Sequence, residues 1–236
     1  MANSFWGIMK KIIIKHILIS FITTFIAVST IIVTCLFVFG QANGDTPASA
    51  SALGAEFFKY FTSDSNILVA LVSLVILGFS IKNIVQKRDE MPLWLVVLYL
   101  IVTTGTTVTF LTTALFLAPT SVINGNSYFI MFEGRLFFLH FLTPVLAIIL
   151  VVFFLDYYKF TWKHALLCIS TVAFYSCFYI PFVLTGMWVD FYGFTFGGQL
   201  WIAPISLVVM LGVTVGIGFL LVLFHNLFLQ KIHKNG

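Results

Sequence analysis

Long apolar runs separated by short polar segments dominate this chain. A membrane-spanning helix takes about 20 mostly apolar residues. Six runs meet that length, at about 12–40, 56–84, 92–117, 134–157, 163–185 and 199–231. In the third run Pro92 stands at a helix-start position and Pro119 just past the end. The last run is long enough to tilt or to project beyond a bilayer. The pattern predicts an all-α fold, with residues 1–236 forming one bundle of six transmembrane helices. Neither a 20–50-residue repeat nor an inverted repeat of the transporter type is evident.

Composition agrees with the pattern. The chain is 61% hydrophobic and 8% charged, with a mean hydropathy of +1.10, whereas soluble domains carry about 25% charge. A net charge of +4 would suggest nucleic acid in a soluble protein, but its distribution points to topology. With the N-terminus inside, Lys10, Lys11, Lys15, Lys82, Lys87, Arg88, Lys159, Lys163, Lys231 and Lys234 are all cytoplasmic, ten of the twelve basic residues. Only Lys59 and Arg135 fall outside. Acids run the other way: Asp45, Glu56, Asp64, Glu133 and Asp190 are outside, and Asp89, Glu90 and Asp156 inside. Both termini are therefore expected in the cytoplasm, and nucleic acid is not an expected partner. The small-residue stretch Thr46 to Ala52 resembles a signal cleavage site. The uncharged run Ile17 to Phe39, at 23 residues, exceeds the 7–15 of a signal core, so a retained helix is expected. Cys35, Cys168 and Cys177 lie in apolar runs without metal-ligand or disulfide spacing, and no cofactor or metal is implied.

Candidate chemistry concentrates in FFKYFTSDSN, Phe57 to Asn66. This segment places Lys59, Thr62, Asp64 and Asn66 where the second span begins. Polar groups are costly in a bilayer, so such a cluster is a site hypothesis. At helical spacing Lys59, Thr62, Asn66 and Ser73 share a face, with Thr62 about 6 Å above Asn66. In the fourth span His140 lies about 7–8 Å inward of Arg135, at the depth of Thr62. A hydroxyl nucleophile needs a base within hydrogen-bond reach, and neutral imidazole serves. Pro144 lacks the N–H that would bond the His140 carbonyl, which predicts a bend and a polar cavity there. The structural alternative is a packing kink with His140 bonded to a neighbouring helix.

Other polar positions carry weaker signals. Thr103, Thr104, Thr106, Thr107, Thr109, Thr112 and Thr113 crowd the third span. They read as interhelical packing, with a solute path as the sharper alternative. Gly212 and Gly216 form a GxxxG-like pair suited to close helix contact. His225, beside Asn226, is placed for a buried bond, whereas His16, His164 and His233 flank spans beside lysines. Tyr175, Tyr179 and Pro181 bring polar tips and a kink towards the outer end of the fifth span. The loop Gly186 to Gln199, rich in Trp188, Phe191, Tyr192, Phe194 and Phe196, reads as an interfacial aromatic belt rather than a substrate lid.

KYFT (Lys59 to Thr62) opening the second span and LHFLTP (Leu139 to Pro144) in the fourth resemble the androgen-induced six-span membrane threonine hydrolases. The pattern YFTxxSN (Tyr60 to Asn66) followed by an apolar helix, with HxxxP (His140 to Pro144) later, is similar to related bacterial six-helix proteins of unknown function. The resemblance implies hydrolysis of a membrane lipid ester, of the type formed by fatty acids on hydroxy fatty acids. It implies Thr62 as nucleophile and His140 as base. Leu139 stands where that family has Asn before the histidine. Asn66 is a candidate oxyanion donor. Lys59 and Arg135 are candidates to hold a carboxylate, and Asp64 and Tyr179 candidates to line the substrate cavity. The implied location is a cell membrane, of the bacterial plasma-membrane kind. A small-solute transporter lined by the third span and a non-catalytic lipid-binding protein are the competing functions.

Overall fold

A computed structural model describes residues 2–40, 53–195, 199 and 201–235. The segment 41–52, with Asp45 and the cleavage-like stretch, lies outside the described residues, as does Phe196. Six long helices run antiparallel in sequence order: α1 (Ala2–Phe39), α2 (Phe61–Gln86), α3 (Leu93–Ile123), α4 (Gly134–Phe154), α5 (Trp162–Leu184) and α6 (Ala203–Asn235). Among the described residues there is no strand. All six helices are long and apolar enough to cross a membrane, so the fold is a multi-pass membrane bundle.

Helix α3 is the most buried span and packs against α2, α4, α5 and α6. Helix α1 lies along α2 and touches α4, while α6 lies along α5 and touches the end of α4. Helices α2 and α5 both rest on α3, meeting it at Gly105. A Cβ there would stand 3.5 Å from both the Ser65 and Thr171 side chains. In lipid, tail burial favours no helix pair over another, so small residues and interhelical hydrogen bonds carry association. Ser65 and Thr109 supply such a bond between α2 and α3, at 3.1 Å.

Local chemistry shifts several element ends from their sequence-based positions. The sequence pattern starts the second span at residue 56, but Gly54–Lys59 form a separate 3₁₀ helix and Tyr60 is extended (φ −96°, ψ 129°). Helix α2 starts at Phe61, so Lys59 does not share its Thr62–Asn66 face. Its other end turns at Lys87 in the left-handed region (φ 54°), where the Lys87 and Arg88 N–H groups return to the Asn83 carbonyl. The third span continues past Pro119 to Ile123. A π-helical stretch, Thr113–Leu117, precedes the proline, which then occupies a first-turn position that tolerates a missing N–H. Pro144 has the same effect in α4, where Phe138–Leu142 are π-helical and the Thr143 N–H reaches back to the Phe138 carbonyl. The distortion expected at His140 is therefore a π-bulge.

The end of the bundle bearing Lys15 is held by polar groups. Lys15 bridges Asp89 (3.1 Å) in the α2–α3 loop and Asp156 (2.6 Å) in the α4–α5 loop, and lies 3.9 Å from the Tyr157 ring centre. The fully buried His16 adds Nε2 to Asp89 at 3.2 Å. Burial opposes ionisation of Asp89, but His16 and Lys15 together hold its carboxyl down at about 2. On the other flank, His225 approaches the Val151 and Tyr158 carbonyls with its two ring nitrogens (2.8 and 2.9 Å). Asn226 brackets Phe160, accepting its N–H and donating to its carbonyl, each at 2.9 Å. The buried bond expected of His225 is thus part of a clamp on the α4–α5 loop.

One expected contact falls elsewhere. Gly212 and Gly216 are exposed, and a Cβ added to either would meet nothing within 4 Å. A Cβ on Gly218 would stand 2.9 Å from the Ala165 carbonyl oxygen and 3.0 Å from the Cys168 Cβ. The glycine that permits close approach of α6 to α5 is therefore Gly218. The GxxxG pair lies on a face that no described helix covers.

Candidate functional site

The end of the bundle opposite Lys15 is built from the first turns of α2 and α4, the last turns of α3 and α5, and two loops that fold over them. Asn66 is its centre. It is fully buried, and its Nδ2 donates to the Thr62 carbonyl (2.7 Å) on its own helix and to the Leu139 carbonyl (3.1 Å) on α4. The bridge brings the segments carrying Thr62 and His140 side by side. Without it the 62–66 turn of α2 would leave buried donors against α4, at about 1–3 kcal/mol per unsatisfied group.

His140 is 6% exposed and held from above. Its Nδ1 lies 2.7 Å from the Met131 carbonyl, in the short 3₁₀ helix Tyr128–Phe132 before α4. That carbonyl can only accept, so Nδ1 carries the proton and Nε2 is left with the lone pair. No hydrogen bond to Nε2 forms among the described residues. Phe132 packs edge-on to the ring at 6.4 Å. Two further polar atoms are buried here without partners: the Asn66 Oδ1 and the Thr113 Oγ1. Thr113 opens the π-bulge of α3 and His140 lies in that of α4. The Ser65–Thr109 bond sets the register of α2 on α3, so Thr113, one turn outward, stands at the depth of Thr62. π-bulges recur at functional sites because they displace a side chain from the regular helical ladder.

Thr62 is half-buried and covered by a different loop. The Tyr192 hydroxyl accepts the Phe61 N–H (2.9 Å) and lies against the Thr62 amide and hydroxyl, capping the start of α2. Burial pushes the Tyr192 phenol up, so it remains a neutral O–H. Asp190 organises this loop: one carboxylate oxygen accepts from the Tyr179 hydroxyl (2.8 Å) and the Phe194 N–H (2.9 Å). The other accepts from the Thr195 N–H and hydroxyl, both at 2.6 Å. Burial works against ionisation of Asp190, but the Thr195, Tyr179 and Phe194 donors hold its carboxyl below the usual range. Phe194 and Thr195 are buried, and the Tyr192 ring packs against Tyr175 and Tyr179. The loop expected as an aromatic belt thus folds inward as a cap, because Asp190 gathers its amides.

The other residues singled out from the sequence take separate positions. Arg135 donates to the Leu36 carbonyl (2.7 Å), a cation at the C-terminal end of α1. Lys59 pairs with Glu56 and lies 5.9 Å from the Trp188 ring centre. Tyr179 is engaged by Asp190. Asp64 faces away from Asn66, into a cleft between α2, α3 and α5. In α3, the hydroxyls of Thr104, Thr106 and Thr107 bond to carbonyls one turn back on their own helix. The Thr103 Oγ1, by contrast, is buried without a partner among the described residues.

Sequence reasoning passed over the Met131 carbonyl, and gave Thr113 and Tyr192 other roles, in helix packing and in an aromatic belt. Only Tyr192 had a readable signal. Asp190 followed by glycine at 193 and threonine at 195 is the composition of a turn in which a carboxylate collects nearby amides. The fold and this site define a six-span integral membrane protein with a polar cluster near one face of the bundle. No protein-family model, curated protein or solved structure matches the chain.

Proposed function

We propose that this chain is a membrane-embedded lipid-ester hydrolase, with Thr62 as nucleophile and His140 as general base. The observation that supports it is the Asn66 bridge, which ties the Thr62 turn to the peptide unit preceding His140. A second support is the orientation of His140, whose bond to Met131 reserves Nε2 for taking a proton.

An ester from the surrounding leaflet would meet Thr62 beside the α2 terminus. His140 Nε2 takes the Thr62 proton as Oγ forms a bond to the ester carbon, and the carbonyl electron pair moves to oxygen. The Tyr192 O–H, which lies against the Thr62 amide and hydroxyl, is the candidate donor to that oxyanion. The intermediate collapses by breaking the bond to the alcohol oxygen, which takes the proton back from His140. Water then repeats the sequence on the acyl-threonine, releasing the acid and restoring Thr62; a second alcohol in place of water would give acyl transfer. Lys59 and Arg135 are engaged by Glu56 and Leu36, so no carboxylate-holding role is assigned to them.

The experiment is labelling of the purified protein by a fluorophosphonate probe, alongside turnover of a fatty-acid ester of a hydroxy fatty acid. Wild type labels and turns over; Thr62→Ala and His140→Ala do neither, while keeping the wild-type melting temperature within a few degrees. Unlabelled wild type, or a labelled Thr62→Ala, rejects the assignment. A non-catalytic lipid-binding role is the second reading, favoured by the apolar cleft at Asp64.

A further inference from the structure

Helix α2 has two working edges. Asn66 faces α4 and Thr62 lies under the Tyr192 cap, whereas Phe61, Asp64, Ser65 and Leu68 face a cleft of about 400 Å³ between α2, α3 and α5. Its floor reaches Val102 and Gly105, and its walls include Phe174, Phe178, Phe182 and Trp188. The cleft exists because α2 and α5 both pack on α3 while making little contact with each other.

Asp64 is the one ionisable carboxylate lining this apolar space. It is half-buried, and its carboxylate forms no hydrogen bond or ion pair among the described residues. The nearest cation in sequence, Lys59, is already paired with Glu56. The Tyr175 hydroxyl, which also borders the cleft, is spent on the Lys59 carbonyl at 2.5 Å. A carboxylate in an apolar setting without a partner is costly, and such groups pair when a partner is offered. A rim of aromatic faces around a carboxylate is the surface that attracts an ammonium group, by charge and by the ring quadrupole.

We infer that this cleft binds a single-chain cationic amphiphile, its ammonium group on Asp64 between the aromatic walls and its alkyl chain running down to Val102 and Gly105. The volume sets the single chain, since about 400 Å³ is near the lower limit of small-molecule sites and does not hold two acyl tails. The charge of Asp64 sets the sign of the head group. This site stands apart from the Thr62–His140 reading, since it uses the opposite edge of α2.

The test uses the full chain in lipid nanodiscs and a dodecyltrimethylammonium probe carrying a photoreactive diazirine on its chain. Dodecanol and dodecyl sulfate serve as neutral and anionic competitors. Expected is crosslinking to peptides spanning 58–68 and 171–188, displaced by unlabelled dodecyltrimethylammonium at least tenfold better than by dodecanol. Asp64→Asn removes that preference, and Asp64→Glu retains it. Equal competition by the alcohol, stronger competition by the sulfate, or crosslinks mapping elsewhere overturns the proposal. An Asp64→Asn protein that keeps the tenfold preference also overturns it. If Asp64→Asn does not fold, the wild-type crosslink map and the competitor order still decide.

Discussion

Replacing Asp190 by Asn separates the cap from the helices it covers. The carboxylate accepts four bonds, two on each oxygen, at 2.6–2.9 Å. A carboxamide keeps one acceptor oxygen, so it can retain the Tyr179 and Phe194 pair, but its NH₂ then faces the Thr195 N–H. Two bonds to a charged acceptor are lost, each worth about 1.5–3 kcal/mol net. Asp190 is only partly buried, so water recovers part of this, leaving about 2–4 kcal/mol of local destabilisation. The loss falls on the cap, because residues 186–195 are tied to the spans through Tyr192, Tyr179 and the Phe194 carbonyl, which accepts from the Ser206 hydroxyl. Hydrogen exchange in detergent micelles, followed by mass spectrometry, reads it directly. The expected change is about 30- to 700-fold less protection over 190–195, at 1.4 kcal/mol per tenfold, with α3 unaffected. The Phe61 amide, which the Tyr192 hydroxyl accepts, loosens in step. The depressed native carboxyl makes the same argument in pH. A lowered folded pKa gives stabilisation that is present above the ordinary carboxylate range and lost as pH falls through the native value. The wild-type cap is therefore unchanged from pH 7 to 5 and loosens below about pH 4. Variant protection within twofold of wild type, or loss spread evenly through the bundle, refutes the assignment of Asp190 as the organiser.

Asn66→Ala removes the donor to Thr62 and Leu139 and is expected to cost about 1–3 kcal/mol, seen as a lower thermal midpoint; Asn66→Asp, which cannot donate, is expected to be worse. Gly218→Ala pushes a methyl into the α5 backbone and is expected to cost about 1–3 kcal/mol, whereas Gly212→Ala leaves the midpoint unchanged. Differential scanning fluorimetry on the pair reverses the conclusion if Gly212→Ala is the more harmful. At the Lys15 end, the Asp89 carboxyl lies at about 2. It stabilises the native state above the usual carboxylate pKa of about 4, and that contribution fades as pH falls from about 4 towards 2. A pH series on Asp89→Asn should slope less steeply than wild type over that window, and equal slopes count against the assignment. His225→Ala leaves the Val151 and Tyr158 carbonyls unpaired. It should raise protease cleavage within 155–161, and cleavage equal to wild type counts against the clamp.

The number of spans, the all-helical class and the antiparallel order followed from sequence alone. Run length against bilayer thickness leaves almost no other arrangement for this composition. Proline gave local information of the same kind: Pro144 located the α4 bulge because a missing N–H acts on the carbonyl four residues back. Pro119 did not end its helix, because a π-turn before it accommodated the ring, and that choice depends on what α3 packs against. Asn66, Thr62 and His140 were visible as polar groups too costly to place in lipid without a purpose. Their partners were not visible, because Leu139 and Met131 contribute only carbonyl oxygens, which every residue possesses. Which face each polar group takes was also set by packing. Asp64 and Asn66 are two residues apart, and a helix turns about 100° per residue, so one points to α5 and the other to α4. Gly212, Gly216 and Gly218 are alike as residues, and only the position of α5 singles out Gly218. Sequence determines what must be buried or satisfied, whereas the tertiary structure decides by which neighbour, since that choice rests on helix rotation and backbone atoms that residue identity does not encode.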